Sequence, residues 1–199
     1  MLKRSERKKA KLSSLQIIAL GFFIIILVGT FLLMLPFSTQ VPGGASFGDA
    51  LFTATSATCV TGLVVQDTGT YWSVFGQIVI IAMIQVGGLG FMTIATLFML
   101  LLRRRLGLRQ REVVVESISH YQLSGIIPFV KRIFFGTLLV EGLGAVLLSL
   151  RFVEDFGLER GIYYGIWHSV SAFCNAGLIL WAPTAGSTPP LWPMWTTLW

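Results

Sequence analysis

Ser56-Ala57-Thr58-Cys59-Val60-Thr61-Gly62-Leu63 is written a second time 115 positions further on, as Ser171-Ala172-Phe173-Cys174-Asn175-Ala176-Gly177-Leu178. Five of the eight positions are identical: Ser, Ala, Cys, Gly and Leu. Each copy follows a short apolar stretch. Each is also preceded by a long hydrophobic segment, residues 15–35 for the first and 126–150 for the second. A repeat at this separation marks one supersecondary unit used twice. The unit is a membrane hairpin that dips a glycine-bearing loop into the bilayer, which is the layout of an ion pore.

Composition agrees with that reading. Of 199 residues, 54% are hydrophobic and 12% charged, and mean hydropathy is +0.77, too apolar for an ordinary soluble domain. Residues 15–35 (21 residues) and 72–102 (31 residues) carry no charge, and 126–150 carries only Lys131, Arg132 and Glu141. A run of about 20 apolar residues spans the ~30 Å hydrocarbon core as a helix, so three full spans are expected. The basic N-terminus imitates a signal peptide. Its apolar stretch is longer than a signal core and runs into Leu35-Pro36-Phe37 without a cleavage pattern, so it reads as a retained helix.

The net charge of +6 is concentrated at the ends of the spans. Lys3, Arg4, Arg7, Lys8, Lys9 and Lys11 precede the first, and Arg103, Arg104, Arg105, Arg109 and Arg111 follow the second, with no Lys or Arg between Leu12 and Leu102. That asymmetry places the N-terminus and the segment 103–124 on the cytoplasmic side, with 38–46 and 64–71 outside. It is a topology signal with some affinity for anionic headgroups, and it excludes nucleic acid as the partner.

Between the spans, residues 47–57 would rise only ~16 Å as a helix, half a bilayer. Ser46 with Asp49 three residues on is an N-cap pattern. Residues 163–172 form the matching half-helix of the second copy. Gly87-Gly88-Leu89-Gly90 predicts close helix packing or a break in the overlong second span. Residues 112–118 are amphipathic and suit either a membrane surface or a solvated linker. Glu141, a carboxylate inside a span, reads either as a functional group or, preferred here, as a scaffold hydrogen-bonded to a neighbouring helix. Cys59 and Cys174 occupy equivalent slots rather than forming a disulfide, and His120 and His168 have no ligand pattern around them. No catalytic or cofactor-binding constellation is present in the sequence, and no enzyme is expected.

A partly dehydrated cation needs oxygens that replace its water without gripping it, as rings of backbone carbonyls do. Turning carbonyls toward one axis calls for a residue free to take positive φ. Gly62 and Gly177 are those residues. Thr58, Cys59, Val60 and Thr61 supply one arc of carbonyls, and Phe173, Cys174, Asn175 and Ala176 a second. The half-helices end at these arcs, so the negative ends of their dipoles favour a cation.

Three stretches in order, Thr55 through Leu63, Gln85-Val86-Gly87-Gly88-Leu89-Gly90-Phe91, and Ser171 through Gly177, resemble the Trk/Ktr/HKT superfamily of K+ transporters, most closely the membrane subunit of bacterial Ktr or Trk systems. The resemblance covers about residues 12–180. It implies an all-α membrane fold of four helix–pore-loop–helix repeats around one pore, with one filter glycine per repeat. It further implies K+ as the transported ion with Na+ as a second candidate, a homodimer, a cytosolic nucleotide-binding regulatory subunit, and a multi-pass place in the bacterial inner membrane.

The resulting organisation is a basic cytoplasmic tail (1–14), a complete repeat (15–102), a cytoplasmic connector (103–125), a second repeat lacking its return helix (126–180), and a Pro/Trp-rich tail (181–199). By the 115-residue offset a return helix should begin near Ser187. Four of the seven prolines fall at or after Pro183, and four of the six tryptophans at or after Trp181, so no spanning helix is expected there. The chain reads as the N-terminal part of such a transporter with an unrelated or frameshifted tail, expected to insert but to conduct poorly alone. The alternative is a small non-conducting membrane protein that assembles with or modulates a full-length transporter.

Overall fold

The computed structural model describes residues 14–90 and 126–180. The basic tail, the connector 103–125, the second half of the 72–102 run and the Pro/Trp-rich segment 181–199 lie outside the described residues. The described residues form five helices and one isolated bridge, Thr39 to Trp72. They are α1 (Ser14–Leu33), α2 (Phe47–Cys59), α3 (Val74–Leu89), α4 (Ile126–Phe156) and α5 (Leu158–Phe173).

Among the described residues, two helices are long and apolar enough to cross a membrane, over Gln16–Leu33 and Val130–Phe156. The second expected span, 72–102, begins as α3, 16 residues or ~24 Å. It stops where Gly90 takes φ 76 and donates its N–H to the Gly87 carbonyl at 3.1 Å. Of the two readings of the glycine cluster, both hold. Gly90 ends the helix, while Gly87 and Gly88 make the close contacts described below.

In the first unit α1 packs on α2 and α3 around Leu33, Ala54, Ala57, Ile80 and Ile84, all fully buried. Small residues along α2 (Ala50, Thr53, Ala54, Ala57) let the helices approach. On the side expected to be external, the chain on either side of the α2 unit is tied together. Gln40 N–H donates to the Tyr71 carbonyl (2.9 Å), Ser73 N–H to Ser38 O (3.0 Å), and the Ser73 hydroxyl to Phe37 O (2.7 Å). Ser46 caps α2, its Oγ accepting from the Asp49 N–H at 3.1 Å as its spacing predicts.

The second unit is more compact. A single residue, Gly157 at φ 80, joins α4 to α5. The helices touch through glycines: a Cβ on Gly161 would stand 2.5 Å from Val153 N, and one on Gly165 2.6 Å from Ser149 N. α4 runs to Phe156, beyond the Leu150 boundary that its charges suggest. Along that extension Arg151 pairs with Glu154 (2.9 Å) and Asp155 (3.4 Å), spacings that fit a helical turn.

α3 bridges the two units. The Tyr163 hydroxyl donates to Gln77 Oε1 at 2.9 Å, and the buried Trp167 indole N–H donates to the Gln77 carbonyl at 3.3 Å. α1 and α4 each expose large apolar side chains, Phe31 on the first and Leu143, Leu147 and Leu150 on the second. Such surfaces are at ease in lipid or against further helices, not in water.

Candidate functional site

The repeated octapeptide folds the same way twice. After α2, Val60 sits at φ 56 and Gly62 at φ 75. After α5, Asn175 sits at φ 57 and Gly177 at φ 68. Thr61 N–H donates to Ser56 O at 3.0 Å, and Ala176 N–H to Ser171 O at 2.7 Å. Each loop is then closed by its serine: Ser56 Oγ donates to Leu63 O and Ser171 Oγ to Leu178 O, both at 2.7 Å. Four of the five identical positions thus carry the geometry: serine as clamp, leucine carbonyl as its acceptor, glycine at positive φ, and alanine, whose carbonyl accepts from Val60 in one copy (3.4 Å) and Asn175 in the other (3.0 Å).

The two loops meet. A Cβ on Gly62 would lie 2.6 Å from the Ala176 carbonyl oxygen, and one on Gly177 would lie 3.8 Å from Gly62 Cα. α3 touches both loops at once through adjacent glycines. Gly87 lies against the Thr58 carbonyl, and Gly88 lies so close to Cys174 that a Cβ would stand 2.5 Å from its Sγ. Further along the exit of the second loop, Gly69 packs on the Leu180 carbonyl. Leu180 N–H donates to His168 Nε2 at 3.4 Å, while His168 Nδ1 bonds Tyr164 O at 2.8 Å. His168 is therefore a packing residue.

The residues singled out from sequence are placed as follows. Thr58 is buried, its hydroxyl without a hydrogen-bond partner among the described residues. Cys59 carries an exposed free thiol. Val60 is half-buried in the left-handed region, and the Thr61 hydroxyl donates to Ser56 Oγ at 3.0 Å. Phe173 and Asn175 are exposed, Ala176 is buried, and Cys174 is a half-buried free thiol. Gly62 and Gly177 hold the positive φ that their role requires. Among the described residues no three His, Cys, Asp or Glu side chains gather as a metal site, so the oxygen donors on offer at the loops are carbonyls and hydroxyls.

Three features escaped the sequence reading. Val60 and Asn175 also take positive φ, costly for β-branched valine. Ser56 and Ser171 act as clamps, a role that their identity in the repeat signalled but did not define. Gln77 and Gln85 are the polar contacts of α3 with the second unit. Gln85 Nε2 donates to both carboxylate oxygens of Glu141 (2.9 and 3.0 Å), which gives Glu141 the scaffold role expected of it.

Among the described residues the elements are all helices, two of them apolar and of spanning length, and a helix–loop unit is used twice, which is consistent with a helical membrane protein. The chain belongs to the TrkH family, described as cation transport proteins, whose profile matches residues 16–187. It is 48% identical over 166 residues to the Ktr system potassium uptake protein B of Bacillus subtilis (strain 168), covering 83% of this chain and 37% of that protein. The potassium/sodium uptake protein NtpJ of Enterococcus hirae is 43% identical over 175 residues (88% and 39%). The Ktr system potassium uptake protein B of Vibrio alginolyticus is 40% identical over 178 residues (89% and 38%). The chain therefore spans less than two fifths of the length of these relatives.

Proposed function

We propose that this protein takes part in K+ uptake across a bacterial plasma membrane, its two loops forming two carbonyl arcs of the ion pathway. The observation that carries the reading is the paired loop geometry, with matched positive-φ residues, matched serine clamps, and Gly62 set against Ala176. Carbonyls of residues 58–61 and 173–176 replace part of the ion's water, and neither arc contains a carboxylate, so the ion is held without being trapped. α2 and α5 both end at the loops without a basic residue in their last turn, leaving each C-terminal partial negative charge available to the cation. The clamps keep backbone at this depth satisfied, as non-helical backbone inside a bilayer requires.

Kinship with potassium and potassium/sodium uptake proteins favours K+ as cargo, with Na+ as the competing ion. In this reading the helix–pore-loop units 15–102 and 126–180 stand beside a pore. The protein works as a homodimer with a cytosolic nucleotide-binding regulatory subunit, its N-terminus cytoplasmic. The test is growth at low K+ of a K+-requiring strain in which this protein is the only uptake route, with Ba2+-sensitive K+ flux as the direct measurement. Growth and flux are expected where the two units stand in a full-length transporter of the family, and poor conduction from this chain alone. A chain that reaches the membrane, assembles with transporters and passes no K+ would instead be a modulator.

A further inference from the structure

Among the described residues, one polar bracket behind the second loop has no counterpart behind the first. Gln85 on α3 has both ends of its amide engaged. Nε2 donates to Glu141 Oε1 and Oε2 at 2.9 and 3.0 Å, and Oε1 accepts from the Cys174 thiol at 3.8 Å. In this arrangement the carboxylate oxygens accept from the amide nitrogen and the thiol donates to the amide oxygen. Glu141 is held on a second side, its main-chain carbonyl accepting from the buried Ser169 hydroxyl at 2.6 Å. One turn along from Gln85, Gly88 lies against Cys174, where a Cβ would stand 2.5 Å from its Sγ. At the equivalent places of the first unit stand Ile26 and the exposed Cys59, which offer no such bracket.

We propose that Gln85 is a positioning residue for ion selection. Anchored on Glu141, it holds Cys174 at a fixed distance from α3, and so fixes where the second loop stands relative to the first. The mechanical path is short. Gly87, two residues from Gln85 and on another side of the helix, contacts the Thr58 carbonyl of the first loop, so the same helix touches both loops. Ala176, two residues past Cys174, faces Gly62 across the loop contact. Discrimination between cations that differ in radius by a fraction of an ångström depends on carbonyl placement, and Gln85 sets that placement without touching the ion. The inference rests on the K+-pathway reading above and adds to it a residue outside both loops.

The experiment compares Gln85→Ala, the exchange Gln85→Glu with Glu141→Gln, and Gly88→Ala in the K+-requiring strain, with the two units carried in a full-length transporter of the family. It reads K+/Na+ discrimination from competition uptake and, by peptide mass spectrometry, the alkylation rate of Cys174 against that of Cys59 in the same molecule. Gln85→Ala and Gly88→Ala are expected to speed Cys174 alkylation several-fold and to lower discrimination. The exchange keeps a donor on residue 141 and an acceptor for the thiol on residue 85, so both readouts should return toward the unaltered protein. Unchanged discrimination in Gln85→Ala, even with a lower uptake rate, overturns the proposal, as does an exchange variant no better than Gln85→Ala. Should Gln85→Ala fail to accumulate, the exchange and Gly88→Ala decide the matter by the same criteria. Absence of K+ uptake by the unaltered protein defeats the functional reading instead, while the alkylation rates still report whether the bracket holds Cys174.

Discussion

Leu63 is 62% exposed and its counterpart Leu178 only 2%, although the two residues close loops of the same shape. Val64 and Val65 after the first loop are open, whereas Leu180 after the second is covered by Gly69 and tied to His168. Two copies of one backbone thus persist in opposite surroundings. The shape is therefore written into the octapeptide through the serine clamp and the two positive-φ positions. It is not imposed by whatever walls the loop in. What the surroundings do control is how far each loop tolerates change.

The sharpest way to break this comparison is at the glycines. Gly62→Ala forces a side chain into the left-handed region, roughly 1–2 kcal/mol, and also drives a Cβ onto the Ala176 carbonyl. Gly177→Ala incurs the same backbone strain but meets nothing closer than 3.8 Å. Competition uptake should therefore show K+/Na+ discrimination largely lost in Gly62→Ala and only reduced in Gly177→Ala. Equal losses would mean that the loops do not meet as described.

The clamps come next. Ser171→Ala strands the Leu178 carbonyl at a buried site, at about 1–3 kcal/mol, and should lower the thermal unfolding midpoint of the purified protein. Ser56→Ala exposes the Leu63 carbonyl to a more open environment that can solvate it, so its loss should be the smaller of the two. A larger loss for Ser56→Ala would reverse the assignment of which loop depends on its walls. A smaller effect is expected at the helix starts. Ser46→Ala removes the cap of α2 at about 1 kcal/mol, while α5, which begins at Gly157 without a side-chain cap, has no equivalent residue to lose. The same thermal measurement checks it. Smallest in energy is the contrast between the thiols: Cys59, exposed, should alkylate several-fold faster than the half-buried Cys174, and equal rates would show both loops equally open.

Much of this was legible in the sequence because it is local. The octapeptide repeat, the Ser46 cap, the positive φ of Gly62 and Gly177, and the punctuation at Gly87 through Gly90 all lie within a few residues of the signals that announce them. The rest depends on residues far apart. Nothing near Gln85 names Glu141, 56 positions away, as its partner, and nothing near Gln77 names Tyr163, 86 positions away. Helix ends were misjudged where charge or chain direction misled. α5 begins at Leu158 rather than Tyr163 because one glycine suffices to turn the chain. Val60 in the left-handed region contradicts its own preference, and only the loop closing around it makes that conformation affordable.

The serine clamp also bears on how the protein comes to exist. Each clamp joins residues seven apart, a separation at which chain ends find each other in ~10–100 ns. The meeting of Gly62 with Ala176 has to wait until α3 and α4 have been synthesised and inserted. Each loop can therefore acquire its shape during biosynthesis as an independent foldon, and assembly of the pathway becomes the docking of prefabricated parts. A defect in a clamp should consequently appear as slow or failed maturation at the translocon. A defect confined to the contact between the loops should leave each loop's own folding intact and appear only once the protein is asked to choose between ions.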